Sequence, residues 1–465
     1  MDDGPRQQKQ RSPTPEVSLD GIISHIGFGP YQVIAFLLAG LTALAFGLEI
    51  TVFSLVAESL QSQWGVNGVK LAILPSVTGI SNIIGGVFFG YLCDTYGRVW
   101  PYVLAMMNIA VFSLASAFSP DYVTFVCLRF VVSFGVTGSV VLLFAALTEV
   151  LPVLNRGKVL VLIMLVESLG ICATGGLAWW LIPRYHTNGW RYLVIATSLP
   201  SFFVVGFRIA FPFESPRYLV ARGDHKRAYK VLRRMAHFNG KDLPFPLSSI
   251  ETLPSSTTRS LKTSCLKLGS VFKKVYLRTT VSLSIIFVAH TVAYYSLALF
   301  TPTILGDLVQ NSYFTVFVGY LGQIPGVILM SIIVEWKHVG RLNSMRFFIC
   351  LAVATLVLFA LIQNSVSVPV LTILINFSTV PLTALMLSYM SEYYPTSTRG
   401  SALAYFSNLS AFFGIFFPYL AGYATDVFGQ FPWLFPSIWA VFYLVVLLVT
   451  FCLKQETLMV NLLDQ

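Results

Sequence analysis

Twelve long apolar runs, each broken by a short polar or Gly/Pro segment, recur between Val33 and Leu453 and dictate the solvent in which this chain folds. About 20 mostly apolar residues cross the ~30 Å hydrocarbon core of a bilayer as a helix. The runs at 33–57, 69–92, 101–118, 122–144, 159–182, 192–213, 280–304, 314–334, 346–363, 367–390, 402–424 and 432–453 have that length. Polarity does not alternate at every second residue within them, which excludes a membrane β-barrel, so helices are the remaining way to satisfy the backbone in lipid. Only 11% of side chains are charged, against about 25% in soluble domains. The sequence therefore predicts an all-α membrane protein with twelve transmembrane helices.

The formal net charge is +10, and one segment carries it: between Phe213 and Arg278 stand 14 Lys and Arg against Glu214, Asp224, Asp242 and Glu251. Basic residues gather in the cytoplasmic loops of membrane proteins, so the charge speaks for topology and not for a nucleic-acid partner. With an even number of spans, both termini are expected in the cytoplasm. Residues 1–30 hold no apolar core resembling a cleaved signal, and the first span is expected to direct insertion. The six cysteines lie in or beside spans or in the basic loop and imply no disulfide framework.

An internal repeat gives the architecture. Glu149, Pro152, Arg156 and Gly157 recur 243 residues later as Glu392, Pro395, Arg399 and Gly400, and Gly97-Arg98 recurs at the same offset as Gly340-Arg341. Shifting the first six spans by 243 places each on one of the last six. Two parallel six-helix bundles, 31–213 and 278–454, are thus expected, with a cytoplasmic tail at 1–30, a basic loop at 214–277 and a second tail at 455–465. Parallel repeats about an axis along the membrane normal leave a midplane cavity between the halves that opens to either side by rocking. Within the loop, Ala228, Val231, Leu232 and Met235 share one helical face amid basic residues, which predicts an amphipathic helix at the membrane surface or under the bundle. The stretch from Asp242 to Ser264 reads as linker.

Gly90-Tyr-Leu-Cys-Asp94-Thr-Tyr-Gly97-Arg98 resembles the GxxxDxxGR signature of the major facilitator superfamily. Val99 stands where a second basic residue often follows, and the second copy has Lys337 in place of the Asp. The two ExxPxxxRG segments, Glu214-Ser215-Pro216-Arg217-Tyr218-Leu219 and Glu456-Thr457 resemble the sugar-porter and organic-ion side of that superfamily. Ile26-Gly-Phe-Gly-Pro-Tyr-Gln32, the run from Gly47 to Trp64 and Tyr294-Tyr295 are similar to its branch of synaptic-vesicle-protein-related and organic-cation-like transporters. Sugar porters carry a paired glutamine ahead of the two tyrosines where this chain has Ser284 and Ile285, so hexose transport is disfavoured.

The resemblance implies a secondary transporter working by alternating access. It implies an inner gate made of Asp94, Arg98, Glu149, Arg156, Arg217, Arg341, Glu392 and Arg399. Glu49 stands where proton-coupled sugar porters carry a span-1 acid, Arg129 matches the span-4 arginine that pairs with it, and Phe46 replaces an Asp usual in the related branch.

Ionisable residues inside spans cost about 2.5–3.5 kcal/mol each at a helix centre on insertion scales, so each is a functional candidate. Protonating Glu49 would release Arg129 and couple a proton to a conformational change. A permanent ion pair that only fixes helix packing is the competing reading. Glu167 in span 5 is a second carboxylate against one arginine, and its helical neighbours Gly170 and Thr174 are expected to line the cavity with it. An organic cation or zwitterion would supply the missing positive charge, helped by cation–π attraction from Tyr294; a protonated or backbone-bonded Glu167 is the competing reading. His290, Gln323, Asn376, Asn408 and Asn82 are further candidates for binding substrate, within polar stripes on spans 10 and 11 that line a wet cavity or join helices. Arg208 is expected to snorkel.

No phosphate-binding loop, HExxH or GxSxG motif occurs. The chain is therefore not expected to be an enzyme, and no cofactor or metal is expected. The expected partners are a small-molecule substrate, protons and the lipid bilayer, for a monomer in the plasma membrane in preference to a vesicle or organelle membrane. A facilitative, anion or sugar carrier on the same fold, and a transporter-like receptor or scaffold, are the alternatives.

Overall fold

The computed structural model describes residues 18–453 except 153–155, 213, 252–270, 309–310, 335, 337–338, 395–401, 403–404 and 417–432, with the side chains of 68–69, 156–158, 299–308 and 391–392 also outside the description. It is helical, with no strand among the described residues. The first half runs through α1 (Leu19–Ile26), α2 (Pro30–Trp64), α3 (Gly68–Leu71), α4 (Ile73–Tyr96), α5 (Val99–Ser116), α6 (Tyr122–Thr148), α7 (Arg156–Tyr185) and α8 (Gly189–Ala210). Three short helices follow: α9 (Pro216–Ala221), α10 (His225–Phe238) and α11 (Leu247–Glu251). The second half contains α12 (Lys274–Leu308), α13 (Ser312–Leu321), α14 (Gln323–Ile333), α15 (Gly340–Leu361), α16 (Ser367–Tyr393), α17 (Tyr405–Phe416) and α18 (Leu434–Thr450).

Among the described residues, nine helical stretches are long and apolar enough to cross a membrane. One of them, Val159–Ala210, comprises α7 and α8, separated by the turn His186–Asn188. The shorter apolar helices α17 and α18 fall on the eleventh and twelfth apolar runs. Helices exceed the runs at their ends: α2 starts at Pro30 and reaches Trp64, where Gly65 caps it in the left-handed conformation. Hydrogen bonding along the backbone continues where the hydrocarbon stops.

Lipid gives helices no hydrophobic reason to associate, so close approach carries the packing. At Gly47 a Cβ would lie 2.2 Å from the Glu167 carbonyl oxygen, which fixes α2 against α7 backbone to backbone. In the second half Gly322, at the junction of α13 and α14, does the same against the Ile373 carbonyl of α16, at 2.3 Å.

The Arg98 loop between α4 and α5 marks one end of the bundle, here the motif end; α2 and α7 begin there and α4 finishes there. At this end α1, α9, α10 and α11 build a separate small core from Ile22, Ile23, Ile26, Tyr218, Leu219, Leu232, Met235 and Ile250. Ala228, Leu232 and Met235 of the amphipathic face are buried and Val231 is half-buried, so α10 packs onto α1, α9 and α11 at the motif end. Arg208 departs from expectation. Instead of snorkelling it is 3% exposed inside the first bundle, its guanidinium carbon 5.1 Å from the centroid of Tyr102. The aromatic face gives the cation a favourable contact there.

Candidate functional site

Glu49 and Arg129 come together from α2 and α6. Arg129 Nη1 donates to Glu49 Oε2 at 2.7 Å, and Ser113 Oγ of α5 donates to Glu49 Oε1 at 2.6 Å, so three helices meet on one carboxylate. The two residues are 5% and 4% exposed. Arg129 also lies over the Phe125 ring at 5.3 Å. Its Nε and Nη2 are buried and have no hydrogen-bond partner among the described residues. A buried pair is costly to form and costlier to break on one side, and this one leaves two strong donors unused.

Glu167 is placed differently. Its carbonyl packs on Gly47, while its partly exposed side chain has no hydrogen bond or ion pair among the described residues. Tyr294 and Tyr295 of α12 stand within reach of its charge. The neighbouring face does not line a cavity as expected. Thr174 Oγ1 donates to Leu48 O at 3.1 Å and is fully buried, and Gly170 abuts the Leu44 carbonyl. Those residues join α7 to α2 because lipid-embedded helices approach through their small side chains.

A cavity of ≈ 50 Å³, counted as space open to the centres of water-sized spheres, lies almost wholly within the second half. Tyr294 and Leu297 of α12, Tyr320 of α13, Phe359 of α15, Thr372, Asn376 and Thr379 of α16 and Phe435 of α18 line it, and α2 contributes Thr51. This cavity is lined mostly by the second bundle and reaches the first at Thr51 of α2. Asn376 and Tyr294 face it, and Gln323 stands behind, donating to Asn376 Oδ1 at 3.2 Å; its own Oε1 is buried without a partner among the described residues. His290 is 1% exposed, with Nδ1 3.1 Å from Tyr443 OH and Nε2 2.9 Å from Thr383 Oγ1, so both ring nitrogens are engaged inside the bundle. Asn82 accepts from Thr137 Oγ1 at 2.7 Å and joins α4 to α6, and Asn408 is exposed on α17; neither lines the cavity.

At the motif end the charges pair within the first half. Arg98 makes a two-pronged contact with Glu149, Nε to Oε2 at 3.0 Å and Nη2 to Oε1 at 2.8 Å, and its backbone N–H donates to Glu214 Oε1 at 2.9 Å. Asp94 stands 3.8 Å from Arg98 and is mostly exposed, so Glu149 is the principal partner. Gly97 adopts φ 92°, and a Cβ there would meet Glu214 Oε2, so the turn needs a glycine. Burial opposes the Arg98 charge, but the hydrogen bond and charge of Glu149 outweigh it and hold the guanidinium more firmly protonated than a free arginine. Arg217 pairs with Asp20 of α1, and Arg341 donates to Val334 O at 3.1 Å. Arg399 and Lys337, and the side chains of Arg156 and Glu392, lie outside the described residues.

At the opposite end the described contacts between the halves are mostly uncharged, with Glu58 of α2 beside Tyr313 of α13. Trp179 of α7 stacks on Phe317 of α13 at 6.0 Å and 9°, and meets Phe314 at 5.0 Å. Cys172 Sγ donates to Tyr320 O at 3.2 Å, and Ser76 Oγ of α4 donates to Ile415 O of α17 at 2.5 Å.

Sequence reasoning missed Ser113, Thr51 and Tyr320, which lie on helices apolar all round and so carry no periodic signal of the face they present. Glu214 and Asp20 were open to recognition: Glu214 opens the Glu-Ser-Pro-Arg segment, and Asp20 sits in the first turn of a short helix capped by Ser18.

The comparisons agree with this architecture. The Major Facilitator Superfamily profile matches residues 35–418. Organic cation/carnitine transporter 7 of Arabidopsis thaliana is 26% identical over 451 residues, covering 87% of this chain and 88% of that protein. A Synaptic vesicle 2-related protein of Xenopus laevis is 28% identical over 449 residues, covering 90% and 78%. The inward-open xylose transporter XylE from E. coli superposes with a TM-score of 0.70 at 17% identity, over 93% of this chain and 99% of that one, a likeness of fold alone. With its signature loop, its helical bundle and a profile match over most of its length, the chain belongs to the Major Facilitator Superfamily, as a multi-pass membrane transporter of small solutes.

Proposed function

We propose that this protein is a secondary transporter that moves a small organic cation or zwitterion by alternating access, coupled to protons through Glu49 and Arg129. The observation that carries the reading is the Glu167 carboxylate. It is free of partners among the described residues and borders two tyrosines where the first half meets the second. Inside the membrane such a group is held either as the neutral acid or against a positive charge, and a solute cation against aromatic faces would supply that charge. The printed name of the Arabidopsis relative, an organic cation/carnitine transporter, points the same way.

In this reading twelve passes put both termini in the cytoplasm, the bundles 31–213 and 278–454 rock against each other, and the segment 214–277 joins them. The chain works as a monomer in the plasma membrane. The end opposite the motif then faces away from the cytoplasm. A solute carrying a carboxylate is the second reading, favoured by the two unpartnered donors of Arg129; a zwitterion answers to both.

The test is binding of tetraethylammonium, for a cation, and carnitine, for a zwitterion, to purified protein. Glu167→Gln is expected to weaken whichever binds by about tenfold or more, as the loss of a charge-assisted contact does. An unaltered dissociation constant removes Glu167 from the site.

A further inference from the structure

The basic residues of α10 take no part in transport as read above, yet the helix orders their charges. Lys226, Lys230 and Arg233 are spaced i, i+4 and i+7, which puts them in one stripe, and all three are exposed. Ala228, Leu232, Met235 and Ala236 occupy the opposite face and are buried. The acid nearest the stripe, Asp224, caps the helix and pairs with Arg227 at 3.3 Å, so it does not neutralise the three.

The helix is also held at a definite depth. Just before it, Arg222 Nη1 donates to Thr95 O at the end of α4, at 2.9 Å. Just after it, Asn239 Oδ1 accepts from Tyr31 N at the start of α2, at 3.1 Å, and its Nδ2 donates to Gln32 Oε1 at 2.8 Å. Fourteen residues rise about 21 Å, so α10 lies across the motif end between two helix termini, in the plane where the spans finish. Tyr96 and Trp100, 62% and 68% exposed, stand at the same level. Aromatic rings of this kind are the ones that settle at the headgroup boundary.

We infer that the outer face of α10 binds the anionic headgroups of phospholipids in the leaflet at the motif end. Its stripe is cationic, in line and fixed at headgroup depth, and its apolar side is already used to hold it there. A negatively charged leaflet attracts each cation near its surface, with an effect of about fivefold in affinity per residue. A soluble polyanion would match the charge but has no use for the depth.

The test uses the full chain purified in detergent and titrated with fluorescent phosphatidylserine, with labelled phosphatidylcholine as the neutral control. Phosphatidylserine is expected to bind more tightly, and added salt is expected to erode that preference. The variant Lys226→Gln, Lys230→Gln, Arg233→Gln should lose on the order of a hundredfold, while Lys226→Arg, Lys230→Arg binds as the parent does. Glycerophosphoserine, the free headgroup, should compete poorly. Equal binding of the two lipids, a glutamine variant that keeps the preference, or competition by the free headgroup as strong as by the lipid would each overturn the assignment.

Discussion

The two halves repeat one pattern of spans, yet the first buries charge and the second buries neutral polarity. In the first, Glu49, Arg129 and Arg208 sit at 5%, 4% and 3% exposure, each against a hydrogen-bonding or aromatic partner. In the second, the corresponding depth holds His290, Gln323 and the threonines and Asn376 of α16, joined by hydrogen bonds between uncharged groups. Buried charges that lose a partner are strongly penalised, so separating Glu49 from Arg129 is costly. Neutral amides and hydroxyls exchange partners at about 1 kcal/mol, which suits contact with a solute that must also leave. In the proposed reading the first half supplies the coupling pair and the Glu167 carboxylate, and the second supplies the neutral lining of the cavity.

Breaking the charged side should have the largest effect. Arg129→Leu leaves Glu49 buried opposite Ser113 alone and should cost about 3–5 kcal/mol of stability, read as a large fall in the unfolding temperature. Adding Glu49→Gln to it should recover most of the loss. An Arg129→Leu protein as stable as the parent would remove the distinction between the halves.

Hydroxyl deletions sharpen it on a finer scale. Ser113→Ala removes a bond to a carboxylate and should cost about 1.5–3 kcal/mol, whereas Thr383→Val, which removes a bond to His290, should cost about 0.5–1.5 kcal/mol. Equal losses in thermal unfolding would argue that charge makes no difference at depth. Asn376→Ala, which strips buried Gln323 of its acceptor, should cost about 0.5–1.5 kcal/mol of stability, leave the pH profile of uptake nearly as it is and raise KM by about tenfold or less. A changed pH profile in that variant would place coupling in the second half.

Much of this was legible from residue order. The apolar runs located the helices, the 243-residue offset paired Arg98 with Arg341, and the intramembrane acid and arginine singled out Glu49 and Arg129 before their 2.7 Å contact was seen. The face of α10 was legible because half of that helix meets water, and contrast is what periodicity records. The spans lack such contrast, and their rotation about their own axes stayed hidden. That is why Thr174 joins α7 to α2 and not a cavity, why Arg208 points inward, and why the cavity is lined mostly by the second bundle. Glu149 displaces Asp94 as the partner of Arg98 because the end of α6 comes closer to that guanidinium than the preceding turn of α4 does.

The proposed coupling through Glu49 is tested most directly in proteoliposomes, by measuring pH-driven accumulation and counterflow exchange of the bound solute side by side for the parent and Glu49→Gln. The account predicts that Glu49→Gln loses accumulation and keeps exchange. Accumulation equal to the parent's under the same proton gradient would contradict it.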